Sequence, residues 1–409
     1  MITNAMKKAA WREVHLDDLV DDDAPICYGI VLPGLHHEGG VPVIKVKDIA
    51  QGTVKTTGLL QTSPEIDAQY RRSRLRGGDI LLSIRGTVGR LGIVPDRLTG
   101  ANLTQDTARV RISCEDTRNY VYQLLQSDLL QTQIRDHVVG QAVQGINIRD
   151  VRRLKFPFPE KLEAQHYIAE ILATYNAATE KNAQLIAAKE ISMRGWMQKL
   201  VMDRQFPEYR LSDFVHRVNR KNTTGNGHPL TISGRDGLIS QSHYFDKRIA
   251  AQTTQHYTLL KRGEFAYNRS YSAGYPYGAI KRLDTYDEGI VSSLYLGFAL
   301  NLGAKLQSDY LIHFCEVGGF NHQIHKIAQE GARNHGLLNV AAHDFFAMKL
   351  PLPPIEEQSR VVAILGDASR ELTLLRKTLD HLRKQKRGLM QKLLTGQWRV
   401  PMTSKEAVA

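Results

Sequence analysis

At 409 residues, 42% hydrophobic and 23% charged, the chain has room for two domains of about 150 residues, each burying its own core. A net charge of +12 allows a polyanionic partner. Three distant cysteines, Cys27, Cys114 and Cys315, fit neither a disulfide framework nor a metal spacing; no apolar leader precedes Trp11 and no run nears the ~20 apolar residues of a membrane span, so the expected protein is soluble and cytoplasmic, without a membrane role.

In chain order, an acidic stretch (residues 17–23) opens the first domain. Short apolar or alternating runs at 41–46, 79–84, 91–94 and 108–112, bounded by Gly, Pro and Asp, predict strands, and a helix is expected over 119–137. Between Arg71 and Arg111, the arginines 71, 72, 74, 76, 85, 90, 97, 109 and 111 are answered only by Asp79, Asp96 and Asp106, which predicts a basic surface. Three polar, Gly-punctuated segments suit contact with a duplex, because phosphates call for cations and amides and base edges call for Arg, Asn, Gln or Ser. They are 83–90, with Ser83, Arg85, Thr87 and Arg90; 102–106, with Gln105; and 140–147, with Gln144 and Asn147.

Lys155-Phe156-Pro157-Phe158-Pro159 reads as an extended lead-in, since proline removes a donor and keeps the preceding residue out of the helical region. A long helix follows. Its seam is Ile168, Leu172, Tyr175, Thr179, Asn182, Ile186, Lys189, Met193, Trp196 and Leu200, with the polar members reading as register-setting positions. The second domain repeats the order, with strands expected near 263–268, 277–282 and 294–299 and a helix over 308–317. Its candidate contacts are Arg235 in 233–237; Asn268, Arg269, Tyr271, Ser272 and Tyr275 in 268–277; and Arg333 and Asn334 in 329–336. The tyrosines suit either phosphate contact or core, and the Arg85 and Arg269 loops are alternatively solvated hairpins. Histidines 313, 322, 325, 335 and 343 lack ligand partners at zinc spacing, so no metal site is expected.

Lys349-Leu350-Pro351-Leu352-Pro353-Pro354 leads into a second long helix with a 4-3-4-3 seam: Val361, Leu365, Ala368, Leu372, Leu375, Leu379, Leu382, Lys386, Leu389 and Leu393. Its basic exterior, including Arg376, Arg383 and Arg387, is either a solvated face or a partner-binding one. Trp196 and Trp398 are expected to cap the helix pair. The two helices echo each other: Glu163-Ala164-Gln165 … Met197-Gln198-Lys199-Leu200 returns as Glu356-Glu357-Gln358 … Met390-Gln391-Lys392-Leu393, offset by 193 residues without a gap. One inserted residue would rotate the remainder by about 100°, so both copies keep the same face. The echo extends upstream, pairing residues 14–20 with 209–215 and 76–83 with 260–267. The predicted fold is α+β: two mostly β domains alternating with two long helices that pair as an antiparallel coiled coil, a pseudo-twofold internal repeat. Helices of about 38 residues, ~57 Å long, would set the domains more than one turn of B-DNA apart, about 34–36 Å.

The Pro-rich strand, Glu-Gln, an Ile/Val-Ala-x-Ile-Leu run and the terminal Leu-Met-Gln-Lys-Leu-Leu-Thr-Gly (residues 389–396) resemble the specificity subunit of type I restriction-modification systems. The first copy departs slightly, with Ala164 where the second has Glu357. The resemblance implies target recognition domain 1 over 1–155, a conserved helical region over 156–204, target recognition domain 2 over 205–350, a second helical region over 351–400 and a tail at 401–409. It implies that each recognition domain reads half of a bipartite, asymmetric sequence in double-stranded DNA, and that the helices set the unread spacer. Two modification methyltransferase subunits and restriction/translocase subunits would be partners, carrying S-adenosylmethionine, ATP and Mg. No Asn/Asp-Pro-Pro-Tyr/Phe motif or phosphate loop is present, so no catalytic residue is expected in this chain. The rival readings are an enzyme with an unrecognised site and a structural adaptor that never touches DNA.

Overall fold

The structure, a computed structural model, describes residues 11–50, 52–140, 144–202, 205–234, 237–241, 254–270, 274–328 and 338–398. It divides into two compact units, residues 1–183 with 377–409 and residues 184–376. Both divisions fall inside long helices, Leu162–Val201 and Ile355–Leu394. The fold is α+β.

In the first unit, Trp11–His15 pairs antiparallel with the proline-interrupted Lys155–Pro159. A four-stranded antiparallel sheet runs in the order Cys27–Tyr28, Thr107–Val110, Ile80–Ser83, Leu91–Ile93. Ile80–Ser83 is buried throughout, which explains its unbroken apolar run: Ile80 and Leu82 enter the main core, and Leu81, on the opposite face, enters a second one. A three-stranded sheet of Leu60–Thr62, Val41–Ile44 and Asn102–Leu103 borders that second core. The single helix expected over 119–137 is two helices, Glu115–Leu125 and Asp128–Asp136. Ser127 makes the break: its hydroxyl donates to the Leu124 carbonyl at 2.5 Å and accepts from the Leu130 amide at 3.4 Å, capping the second helix.

In the second unit, Glu208–Arg210 pairs antiparallel with Lys349–Pro351, and the four-stranded sheet runs Val215–Val218, Tyr295–Leu300, Phe265–Asn268, Ala279–Arg282. Alternation again divides the core, with Phe265 and Tyr267 facing one cluster and Ala266 another. Aromatic rings fill the larger cluster; Phe265 stacks on Phe298 at 5.1 Å and Tyr267 on Phe345 at 4.9 Å.

The same side-chain bonds brace both units. Gln133 Nε2 donates to the Lys155 carbonyl at 2.8 Å while its Oε1 accepts from the Lys155 amide at 3.0 Å; Gln323 does the same for Lys349 at 2.7 and 2.8 Å. Gln165, buried near the start of its helix, donates to the Pro159 carbonyl at 2.8 Å and accepts from the Thr117 hydroxyl at 2.7 Å. Its echo Gln358, also buried, donates to the carbonyls of Pro353 and Lys305 and accepts from the Gln307 amide.

Within each unit, the start of one long helix packs against the end of the other. In the first unit, Ile168, Ala169 and Leu172 share a cluster with Met390, Leu393 and Leu394; in the second, Met197 and Val201 share one with Val361 and Leu365. Lys189 pairs with Glu371 at 2.8 Å, and Glu190 with Arg376. Among the expected seam residues, Ile168, Leu172, Ile186, Leu365, Leu372 and Leu379 are buried, and Asn182 and Leu389 are half-buried. The Asn182 Oδ1 is enclosed and has no hydrogen-bond partner among the described residues. Trp196 departs from expectation: it is exposed and Met197 takes the buried position, because a helix of 3.6 residues per turn drifts off a 3.5-residue repeat. Trp398 is exposed as well, with the Lys392 ammonium 4.1 Å from its ring centroid. Neither tryptophan is a buried cap.

Candidate nucleic-acid interface

In the first unit, the three nominated segments meet. Strands Ile80–Ser83 and Leu91–Ile93 are joined by a tight turn, closed by Ser83, whose hydroxyl donates to the Thr87 carbonyl at 2.5 Å and accepts from the Arg90 amide at 2.7 Å. Ser83 is buried, so it shapes the turn where an outward contact was expected. The amides of Ile84 and Arg85 both donate to the Asp106 carbonyl, at 2.8 and 3.2 Å. On the other side, the Gly86 amide donates to the Gln144 carbonyl and the Ile146 amide to the Ile84 carbonyl, each at 2.9 Å, and Arg85 bridges Gly145. Arg85 Nη1 donates to Gln105 Oε1 at 3.0 Å. Arg85, Thr87, Arg90, Gln144 and Asn147 are exposed, and Gln105 is half-buried. Neither Arg85 nor Arg90 has an ion-pair partner among the described residues.

The expected basic surface is smaller than the sequence suggests. Arg109 and Arg111 are interior, only 3% and 8% exposed. Arg111 Nε and Nη2 grip the Asp79 carboxylate at 2.7 Å each, a bidentate bond that raises its pKa. Arg109 donates to the carbonyls of Arg72 and Pro25, at 2.6 and 3.1 Å, and burial lowers its pKa. Arg74 binds the buried Asp67. The exposed arginines 71, 72, 76, 85, 90 and 97 carry the remaining field. Beside Arg90 a groove of about 1330 Å³ is lined by Thr53, Tyr122, His166, Asn176 and Lys386, whose half-buried ammonium has its pKa lowered by burial.

The second unit is built differently at the matching place. Arg269 directs its guanidinium inward, donating to the carbonyls of Leu294 and Ser293 at 3.0 Å each and of Val340 at 3.5 Å. These bonds brace the end of its strand, whereas the described partner of the Arg85 guanidinium is the Gln105 side chain. Asn268 accepts from the Ser270 amide at 3.0 Å. The Tyr275 hydroxyl lies 3.0 Å from the Gly234 carbonyl and accepts from the Lys281 ammonium at 2.9 Å. Lys281, 5% exposed, also pairs with Glu316, and burial raises the Tyr275 pKa. Tyr275 therefore ties strand ends together where base or phosphate contact was expected. Gly278 has φ +81°, and a Cβ there would stand 2.3 Å from the Asn268 carbonyl, so only glycine fits the turn. Arg235, Tyr271, Ser272, Arg333 and Asn334 lie outside the described residues.

Sequence reasoning missed Gln133 and Gln323, though the Gln-Ile steps at 133–134 and 323–324 echo at nearly the helix offset. It also missed the Lys281–Glu316 pair, which joins residues far apart in sequence and leaves no local signature. The described residues hold no group of three His, Cys, Asp or Glu able to bind a metal, and no helix among them is long and apolar enough to cross a membrane.

Residues 33–189, which hold the Arg85 site, match the family described as the type I restriction modification DNA specificity domain. That match covers less than half of the chain. The chain is 32% identical over 183 residues to the EcoBI type I restriction enzyme specificity subunit of Escherichia coli, covering 44% of this chain and 38% of that protein. It is 24% identical over 95% of its length to the putative MjaX specificity subunit of Methanocaldococcus jannaschii, covering 94% of that protein. In fold, it resembles the type I restriction-modification S subunit from M. genitalium, with TM-score 0.56 and 15% identity over 98% of this chain and 99% of that one. The matched segment spans both the Arg85 loops and residues 162–189 of the helix Leu162–Val201.

Proposed function

We propose that the chain is the sequence-specific DNA-binding subunit of a type I restriction-modification complex. Two recognition domains, within 1–155 and 205–350, each read one half of a bipartite, asymmetric target. Helical regions at 156–204 and 351–400 pair as an antiparallel coiled coil, set the unread spacer and dock two modification methyltransferase subunits. Restriction and translocase subunits complete the assembly. This chain is non-catalytic: S-adenosylmethionine, ATP and Mg belong to the partners, which also flip and methylate the base. Work on chromosomal and invading DNA fits a cytoplasmic location.

The observation that carries the reading is the convergence of three polar segments around Arg85 inside the specificity domain. The recurrence of the Gln133 and Gln165 bonds at Gln323 and Gln358 supports a duplicated, pseudo-twofold scaffold. The ion pairs Lys189–Glu371 and Glu190–Arg376 support antiparallel pairing. A repeated scaffold under unlike loops suits two different words read in related orientations.

Binding of the chain, with its methyltransferase partner, to duplex DNA tests this reading. Sequence-dependent binding that weakens with rising salt is expected. Negligible affinity at every salt concentration would favour the structural adaptor instead. Mapping methylated adenines in the host genome then yields both half-sites and the spacer.

A further inference from the structure

Arg85 is exposed, has no carboxylate partner among the described residues, and is held by its neighbours. Its backbone is fixed on two sides, to Asp106 and, through Gly86, to Gln144. Gly145 lies so close that a Cβ there would meet Arg85 Cγ and the Ile84 carbonyl at 3.2 Å each. At the tip of the side chain, one nitrogen is held by the Gln105 amide oxygen at 3.0 Å, and Gln105 is itself anchored by its backbone amide to the Ile30 carbonyl at 2.9 Å. A phosphate contact needs only charge and tolerates a swinging side chain. A planar guanidinium held in one orientation suits a partner with two acceptors side by side.

We propose that Arg85, oriented by Gln105, reads a guanine in the major groove, an inference that rests on the DNA-reading role above. Guanine presents two adjacent acceptors there, N7 and O6; adenine sets a donor amino group beside N7, so one N–H of the fork would face another. With Nη1 tethered to Gln105, the opposite side of the fork supplies two donors to the base. Gln105 is a positioning residue; Arg85 makes the contact.

The test uses the full chain with its methyltransferase partner and duplexes carrying the mapped target. Each guanine of the half-site read by the first domain is replaced in turn by 7-deazaguanine, which lacks the N7 acceptor, or by inosine, which keeps both major-groove acceptors. One position is expected to lose about ten-fold in affinity with 7-deazaguanine and to be unchanged with inosine. Arg85→Lys should abolish discrimination at that position while preserving charge and the salt dependence of binding. Gln105→Ala should weaken discrimination there and leave the other half-site untouched. A first half-site without guanine, insensitivity to 7-deazaguanine at every position, or undiminished discrimination by Arg85→Lys would overturn the inference. Absence of any sequence preference would instead defeat the DNA-reading role itself.

Discussion

Gln358 donates from Nε2 to the carbonyl oxygen of Pro353, 2.9 Å away and five residues back along the chain. The same amide reaches the Lys305 carbonyl, and its oxygen takes the Gln307 amide, so one fully buried side chain ties the proline lead-in, the helix start and the loop before Ser308–Glu316. Gln358→Leu fills the space but strands these partners, at about 1–3 kcal/mol for each buried group left unpaired. A clear fall in the melting temperature of the purified chain is expected. An unchanged melting curve would mean water replaces the amide.

Arg85 and Arg269 should behave oppositely when replaced by alanine. Arg85→Ala removes an exposed side chain, so stability should stay within about 0.5 kcal/mol while DNA binding weakens. Arg269→Ala frees three carbonyls and should lower stability by about 1–2 kcal/mol. Chemical denaturation and duplex binding, measured on both variants, separate the two roles.

The His166 ring binds Asp116 through Nδ1 at 2.9 Å, linking the helices Leu162–Val201 and Glu115–Leu125. The Asp116 carboxylate raises the histidine pKa above its ordinary value of 6.5. A raised pKa in the folded state means stabilisation that is full below 6.5 and lost as pH rises through the folded value. Denaturation between pH 6 and 8 should therefore show a downward slope that His166→Gln flattens. Equal slopes in the two proteins would remove this pair from the pH response.

Matched insertions of one heptad, about two helical turns, in both long helices near Asn182 and Leu379 keep the seam in phase. Methylation mapping should then report the same two half-sites separated by a longer spacer. Altered half-sites at an unchanged spacing would refute the ruler role.

The sequence made much of the scaffold legible, for identifiable reasons. Proline lead-ins and helix periodicity are local patterns, and the lead-in strands and the two long helices stand where those patterns predict. Composition nominated 83–90, 102–106 and 140–147 one by one; that the first two meet 144–147 is a fact of the fold alone. Charge was read less well. Arg109 and Arg111 occupy alternate positions of Thr107–Val110 and its continuation, yet both are buried, because Asp79 pairs with Arg111 and the carbonyls of Arg72 and Pro25, contributed by distant segments, accept from the Arg109 Nη atoms. The bonds of Arg269 were illegible for the same reason: its carbonyl partners come from residues 293, 294 and 340. The break at Ser127 is written locally, as a serine able to cap the helix that follows it.

Gln133 and Gln323 each pair with both backbone groups of one lysine, Lys155 or Lys349, as a neighbouring strand would. The side chain thus stands in for a missing strand and blunts the edge of a two-stranded ribbon. Unprotected edges recruit other chains by backbone pairing, whatever their sequence. Such a plug closes each ribbon to indiscriminate strand addition without adding a further strand to the chain.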